Sequence, residues 1–183
     1  MSKRNDTIEI YAIKAYCEKF NASVIERPNP PEAIIEYRDN PNKTWVEVTT
    51  LWEDCGKKKQ KNFARDLNNP KLRVQFQEIS SASSDDLALQ LKCQLIRSIQ
   101  KKNSNSSYDP FIKKYGKGKL ILVSEFDSVT PSFFDQHPEI TNFGYKEELE
   151  TFDTLFLYLH SSATMERGYM YSFPPTLISL GVF

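Results

Sequence analysis

Two glutamates and a threonine on one short hairpin are the residues of this chain best spaced for chemistry. Glu32 lies in Pro30-Pro31-Glu32-Ala33-Ile34-Ile35-Glu36, and Glu47 and Thr49 lie in Thr44-Trp45-Val46-Glu47-Val48-Thr49-Thr50. Both segments are apolar and β-branched and end at turn formers, so both read as strands. Asp39-Asn40-Pro41-Asn42 supplies the turn between them. Closing the hairpin there pairs residues whose numbers sum to about 81, which sets Ile34 opposite Glu47 and Glu32 opposite Thr49. Successive side chains alternate faces, so Glu32, Glu47 and Thr49 share one. Diagonal neighbours lie roughly 7–8 Å apart, a separation at which two carboxylates can share a hard divalent cation. A one-residue slip would undo that coincidence. The competing reading is a pair of solvated glutamates.

These residues resemble the signature of the PD-(D/E)xK nucleases, in which a proline-acid start to one strand is followed by Glu-x-Lys on the next. The resemblance is to a divergent branch, carried by Arg27-Pro28-Asn29-Pro30-Pro31-Glu32 and Val46-Glu47-Val48-Thr49. With flanking helices and a last strand it spans roughly residues 6–125. It implies a restriction-endonuclease-like core and a metal-dependent hydrolase, an endonuclease or exonuclease that cuts phosphodiester bonds. It implies Glu32 and Glu47 as ligands of Mg²⁺ (or Mn²⁺), the Val48 carbonyl as a third ligand, and a glutamate of the first helix, Glu9 or Glu18, as a further one. Two positions depart from the pattern. Glu32 stands where the family has aspartate, and Thr49 stands where it has the lysine that positions water and stabilises charge. The resemblance then implies one of two things. Either a lysine is relocated, with Lys57, Lys58, Lys59 and Lys61 the nearest supply, or the protein is a catalytically inactive nuclease fold that binds nucleic acid or a protein partner. Gln60 and Phe63 resemble a glutamine-aromatic pair that follows the lysine in some relatives.

The elements around the hairpin read as α/β. Asp6-Thr7-Ile8-Glu9 has the form of a capping box, opening a helix to about Phe20 with a stripe of Ile8, Tyr11, Ala12, Ala15 and Tyr16. Glu9 thus has a capping role that competes with metal binding. Ser23–Arg27 reads as a strand, and Pro28, Pro30 and Pro31 stiffen the approach to Glu32. A short helix over Lys57–Leu67 and a half-buried strand over Lys71–Ile79 follow. Asp86 to Lys102 reads as the longest helix, with Leu87, Leu91, Leu95 and Ile99 inward and Ala88, Cys93 and Ile96 beside them. Phe111–Tyr115 reads as a helical turn, Lys119–Ser124 as a strand buried on both faces, Tyr145–Phe152 as a short helix, Thr154–Leu159 as a buried strand and Tyr169–Phe173 as a final edge strand. The expectation is one domain over residues 1–183: a three-layer α/β fold with a mixed central sheet flanked by helices, a motif-bearing core over about residues 6–125 and a C-terminal extension over residues 126–183.

Composition excludes several classes. The 183 residues suffice for a sizeable core, and no apolar run approaches the length of a membrane helix. No membrane role and a cytoplasmic setting are the expectation. Cys17, Cys55 and Cys93 form no C-x-x-C pair, which argues against zinc. Cys17 and Cys93 read as small buried hydrophobes. With His137 and His160 the only histidines, a histidine-based triad has little to draw on, beyond a Cys55–His160 pair. No phosphate-cradling glycine loop and no Gly-x-Ser-x-Gly are present. Net charge is zero but uneven: residues 57–73 and 101–119 are lysine-rich, and the stretch from Glu125 to Asp153 is acidic. That asymmetry fits nucleic acid on the basic segments and a protein partner on the acidic C-terminal third, or else solvated loops and helix ends. A homodimer is compatible with the resemblance, since paired nucleases often dimerise.

Overall fold

The computed structural model describes residues 3–51, 84–124, 126, 129–159, 164–166, 169–171 and 175–182. Helix α1 (Lys3–Lys19) precedes a meander of β1 (Ala22–Glu26), β2 (Ala33–Tyr37) and β3 (Asn40–Leu51). Helix α2 (Ser84–Asn103) leads through a 3₁₀ turn at Ser106–Tyr108 and α3 (Asp109–Tyr115) into β4 (Gly118–Ser124). The remainder comprises α4 (Pro131–Gln136), α5 (Pro138–Thr141), a 3₁₀ turn at Tyr145–Glu148, β5 (Phe152–Leu159), β6 (Thr164–Glu166), β7 (Tyr169–Tyr171) and β8 (Thr176–Val182). Six strands form one mixed sheet in the order β1-β2-β3-β4-β5-β8, and β6 and β7 pair separately. β4 lies between β3 and β5 and runs parallel to both. The fold is α/β, a mixed six-stranded sheet with flanking helices.

Period-two alternation sorts the side chains of the sheet into two cores. Ile34, Trp45, Leu51, Leu120, Leu122, Leu155 and Leu157 face α2, whose Ala88, Leu91, Leu95 and Ile99 form the buried stripe. Ala33, Ile35, Val46, Val48, Ile121, Val123 and Phe156 face α1, which contributes Ala12, Ile13 and Tyr16. Full burial of each large aliphatic side chain stabilises by about 1.5–3 kcal/mol, so both helices are held by the sheet rather than by their own propensity.

Several expectations are corrected by this arrangement. The hairpin pairs Ala33 with Val46 and Ile34 with Trp45, two places from the expected register, because the turn is Arg38-Asp39 and Asn40 already belongs to β3. An even shift preserves the faces. Asp6 lies within α1, whose described residues reach back to Lys3, ahead of the expected helix start. Cys93 is exposed and Cys17 only half-buried; position 93 falls midway between Leu91 and Leu95 and so points away from the stripe. The expected helix over Tyr145–Phe152 is a 3₁₀ turn ending at Glu148, and Phe152 opens β5. The outer strand next to β5 is β8, while Tyr169–Tyr171 pairs with β6. Helices α4 and α5 have no counterpart in the reading of the sequence. The expected helix over Lys57–Leu67 and strand over Lys71–Ile79 lie outside the described residues.

Trp45 is the centrepiece of the α2-side core. Its ring stacks on Tyr108 at 5.1 Å, packs 5.3 Å from Phe152, and its Nε1 donates to the Gly116 carbonyl at 2.9 Å. Gly118 runs beneath it, where an added Cβ would come 2.5 Å from ring carbon Cδ2. Gly118→Ala is therefore expected to destabilise the fold by about 1–3 kcal/mol through overpacking. The check is the urea midpoint; an unchanged midpoint would show that the indole can shift freely.

Candidate metal and phosphate site

Glu47 occupies an apolar row. It follows Trp45 along β3 on the α2-facing side and is only 2% exposed. A lone carboxylate there would cost several kcal/mol, so it needs a counter-charge. Lys102 supplies one, its Nζ 2.5 Å from Glu47 Oε1, with the lysine side chain 21% exposed. The spacing of α2 delivers this contact. Ala88, Leu91, Leu95, Ile99 and Lys102 recur every three or four residues, so the buried stripe ends in a cation. A lysine in the last turn also complements the helix dipole.

That end of α2 is fixed in place. Asn103 Nδ2 donates to the Glu148 carbonyl at 2.6 Å, and Thr151 donates to Asn103 through both its backbone N–H and its hydroxyl. Tyr108 closes the site from the following 3₁₀ turn. It is fully buried, clamped between Trp45 and Phe152. Burial pushes its phenol above the ordinary range, the Glu47 carboxylate pushes it further the same way, and Glu32 adds a smaller push. Tyr108 Oη and Glu47 Oε2 nonetheless share no hydrogen bond of ordinary geometry, and both are buried without a hydrogen-bond partner among the described residues. A polar atom left so costs about 1–3 kcal/mol.

Glu32 stands one step before β2. Extending the register from Ala33 and Val46 places it opposite Glu47, on the same side as Ile34. Beyond Val46, β3 has no β2 neighbour, so on that side the backbone of residues 47–51 lacks a strand partner among the described residues. This opening includes the Val48 peptide, whose side chain is buried on the other face. Thr49 is half-buried on the Glu47 side. Glu9 is half-buried on α1, whose buried side chains line the opposite face of the sheet. Glu18 is exposed and pairs with Lys14. Lys57, Lys58, Lys59 and Lys61 lie outside the described residues.

The structure thus brings Glu32, Glu47, Lys102 and Tyr108 together. The sequence reading missed Lys102 and Tyr108. The available signal for Lys102 was its position as the next step of the α2 stripe; for Tyr108 there was none. The two carboxylates and one ammonium sum to one negative charge. Among the described residues no three His, Cys, Asp or Glu side chains cluster for a metal, so an ion here would draw on two carboxylates, a backbone carbonyl and water. Magnesium, which keeps several waters, suits that donor set, and the orphaned Glu47 oxygen fits it.

No protein-family model, curated protein or solved structure matches this chain.

Removing one partner of a buried ion pair strands the other. Lys102→Met is expected to destabilise by about 3 kcal/mol, and adding Glu47→Leu to recover most of it. Urea denaturation of the wild type and three variants completes the cycle; a double variant no better than Lys102→Met alone would show that the pair does not hold this region.

Proposed function

We propose that the chain is a metal-dependent nuclease of the PD-(D/E)xK type in which Lys102 replaces the lysine missing at Thr49. The observation that carries this is the buried Lys102–Glu47 contact on the face shared with Glu32. The order of helix, three-stranded meander, helix and a fourth strand parallel to the third supports a restriction-endonuclease-like core. In this reading the active lysine comes from α2 rather than from the strand itself.

Glu32 and Glu47, with the Val48 carbonyl, would hold Mg²⁺ or Mn²⁺. Such an ion supplies a more acidic water and neutralises charge developing on the phosphate. Lys102 orients Glu47 through their contact, and its ammonium offers hydrogen bonds to a phosphate oxygen or to the attacking water. Tyr108 walls off the inner end of the site and keeps bulk water from the carboxylate. Lys101, Lys113, Lys114 and Lys117 are exposed around the same connection and would contact the nucleic acid backbone, giving binding a steep salt dependence.

Two assays test this reading. Mn²⁺ should raise the melting temperature of the wild type and not that of Glu47→Ala, because the ion binds only the folded site. Cleavage of single- and double-stranded DNA and RNA should fall by about 10²–10³ in Lys102→Ala, the size of a lost charge-stabilising group. Alanine at Lys57, Lys58, Lys59 or Lys61 should mainly weaken binding. A wild type that binds nucleic acid or a protein yet cuts nothing with either ion would establish the inactive nuclease-fold alternative instead.

A further inference from the structure

At the other end of α2, about 27 Å from Lys102 at 1.5 Å per residue, lies a second cluster that the nuclease reading does not use. Ser84, the first residue of α2, has its Oγ 2.5 Å from His137 Nε2. His137 Nδ1 lies 3.0 Å from Glu139 Oε1. The three side chains come from two separate segments, and the imidazole is buried, its ring 4.6 Å from that of Phe133. From two histidines a triad had little to draw on, and His137 is the one with both a hydroxyl and a carboxylate beside it among the described residues. His137 lies between α4 and α5, elements that the sequence reading did not anticipate.

The order of contacts suits one neutral tautomer. A Glu139 carboxylate accepts the Nδ1 proton, which leaves Nε2 as an acceptor facing the serine hydroxyl. Glu139 is held below the usual carboxylate range, first by its own backbone N–H and then by His137, so it is ionised for this role. Ser84 is exposed while its base is buried, so an incoming electrophile can reach the oxygen. Nucleophile, base and orienting acid in hydrogen-bonded series is the arrangement that activates a serine.

We propose that Ser84, His137 and Glu139 form a second reactive centre, a serine nucleophile for small activated esters. Ser84 Oγ attacks the ester carbonyl while its proton passes to His137 Nε2. The ester C–O bond breaks, the alcohol leaves with that proton, and the acyl group stays on Ser84. Water then attacks the acyl-serine, giving its proton to His137. The serine is restored as that proton returns to Oγ, and the carboxylic acid is released. Ser84 and His137 are catalytic, and Glu139 is a positioning residue.

The test is covalent capture of the folded full-length chain by a fluorophosphonate, which bonds Ser84 Oγ to phosphorus and expels fluoride. Intact mass and peptide mapping should place one adduct on Ser84. Ser84→Ala should abolish the adduct, and His137→Gln should slow its formation at least tenfold. Glu139 is exposed, so its variants should stay folded; Glu139→Gln should slow labelling about tenfold and Glu139→Asp restore part of the rate. A p-nitrophenyl acetate burst equal to the protein concentration should vanish in Ser84→Ala. No adduct on Ser84 in the wild type, or one formed as fast in both His137→Gln and Glu139→Gln, would overturn the proposal and leave the cluster as a tie between α2 and the α4–α5 corner.

Discussion

The carboxylate of Glu47 inside an apolar layer is the constraint on which much of the α2 side depends. A carboxylate there needs a partner, and among the described residues Lys102 of the helix packed over it supplies one. The stripe of α2 must therefore run its full length in register to bring Lys102 down at the right turn. The bonds of Asn103 to Glu148 and Thr151 then hold the end of the helix where the lysine can reach. The stacking of Tyr108 on Trp45 seals the same spot. Gly118 is compelled too, since no side chain fits under the indole.

Stability alone gives no reason for this arrangement. Well-packed apolar residues in place of a buried ion pair are often neutral or stabilising by about 1–4 kcal/mol. The second oxygen of Glu47 and the Tyr108 hydroxyl, both without a hydrogen-bond partner among the described residues, make it costlier still. Among the described residues, unmet hydrogen-bonding capacity at Glu47 and an unpaired edge of β3 fall at the same place. The two ends of α2 thus hold separate polar clusters: Lys102 on Glu47 under its last turn and Ser84 with His137 and Glu139 at the other end.

How much of this was legible in the sequence follows from which interactions are local. The faces of Glu32 and Glu47 depend on parity along the hairpin, and parity survives the two-place shift in register. The α2 core stripe depends on helical periodicity, as Leu91, Leu95 and Ile99 show. The Lys102–Glu47 contact was not legible by proximity, because the two residues are far apart in sequence and only the packing of α2 on the sheet brings them together. The surroundings of His137 were not legible; its partners come from residue 84 and from a helix too short for periodicity to announce. Cys93 illustrates the converse: apolar character alone does not say which side of a helix a residue takes. The strand order at the C-terminal end rests on long-range pairing of β5 with β8, for which no local signal exists.

The most direct measurement of the central claim is an anomalous difference map from crystals soaked in Mn²⁺. This account predicts a peak touching one oxygen each of Glu32 and Glu47, at about 2.1 Å as hard octahedral cations require, with Lys102 still beside Glu47. A soaked crystal with no density between those carboxylates, or with its strongest protein-bound peak at other residues, would contradict it.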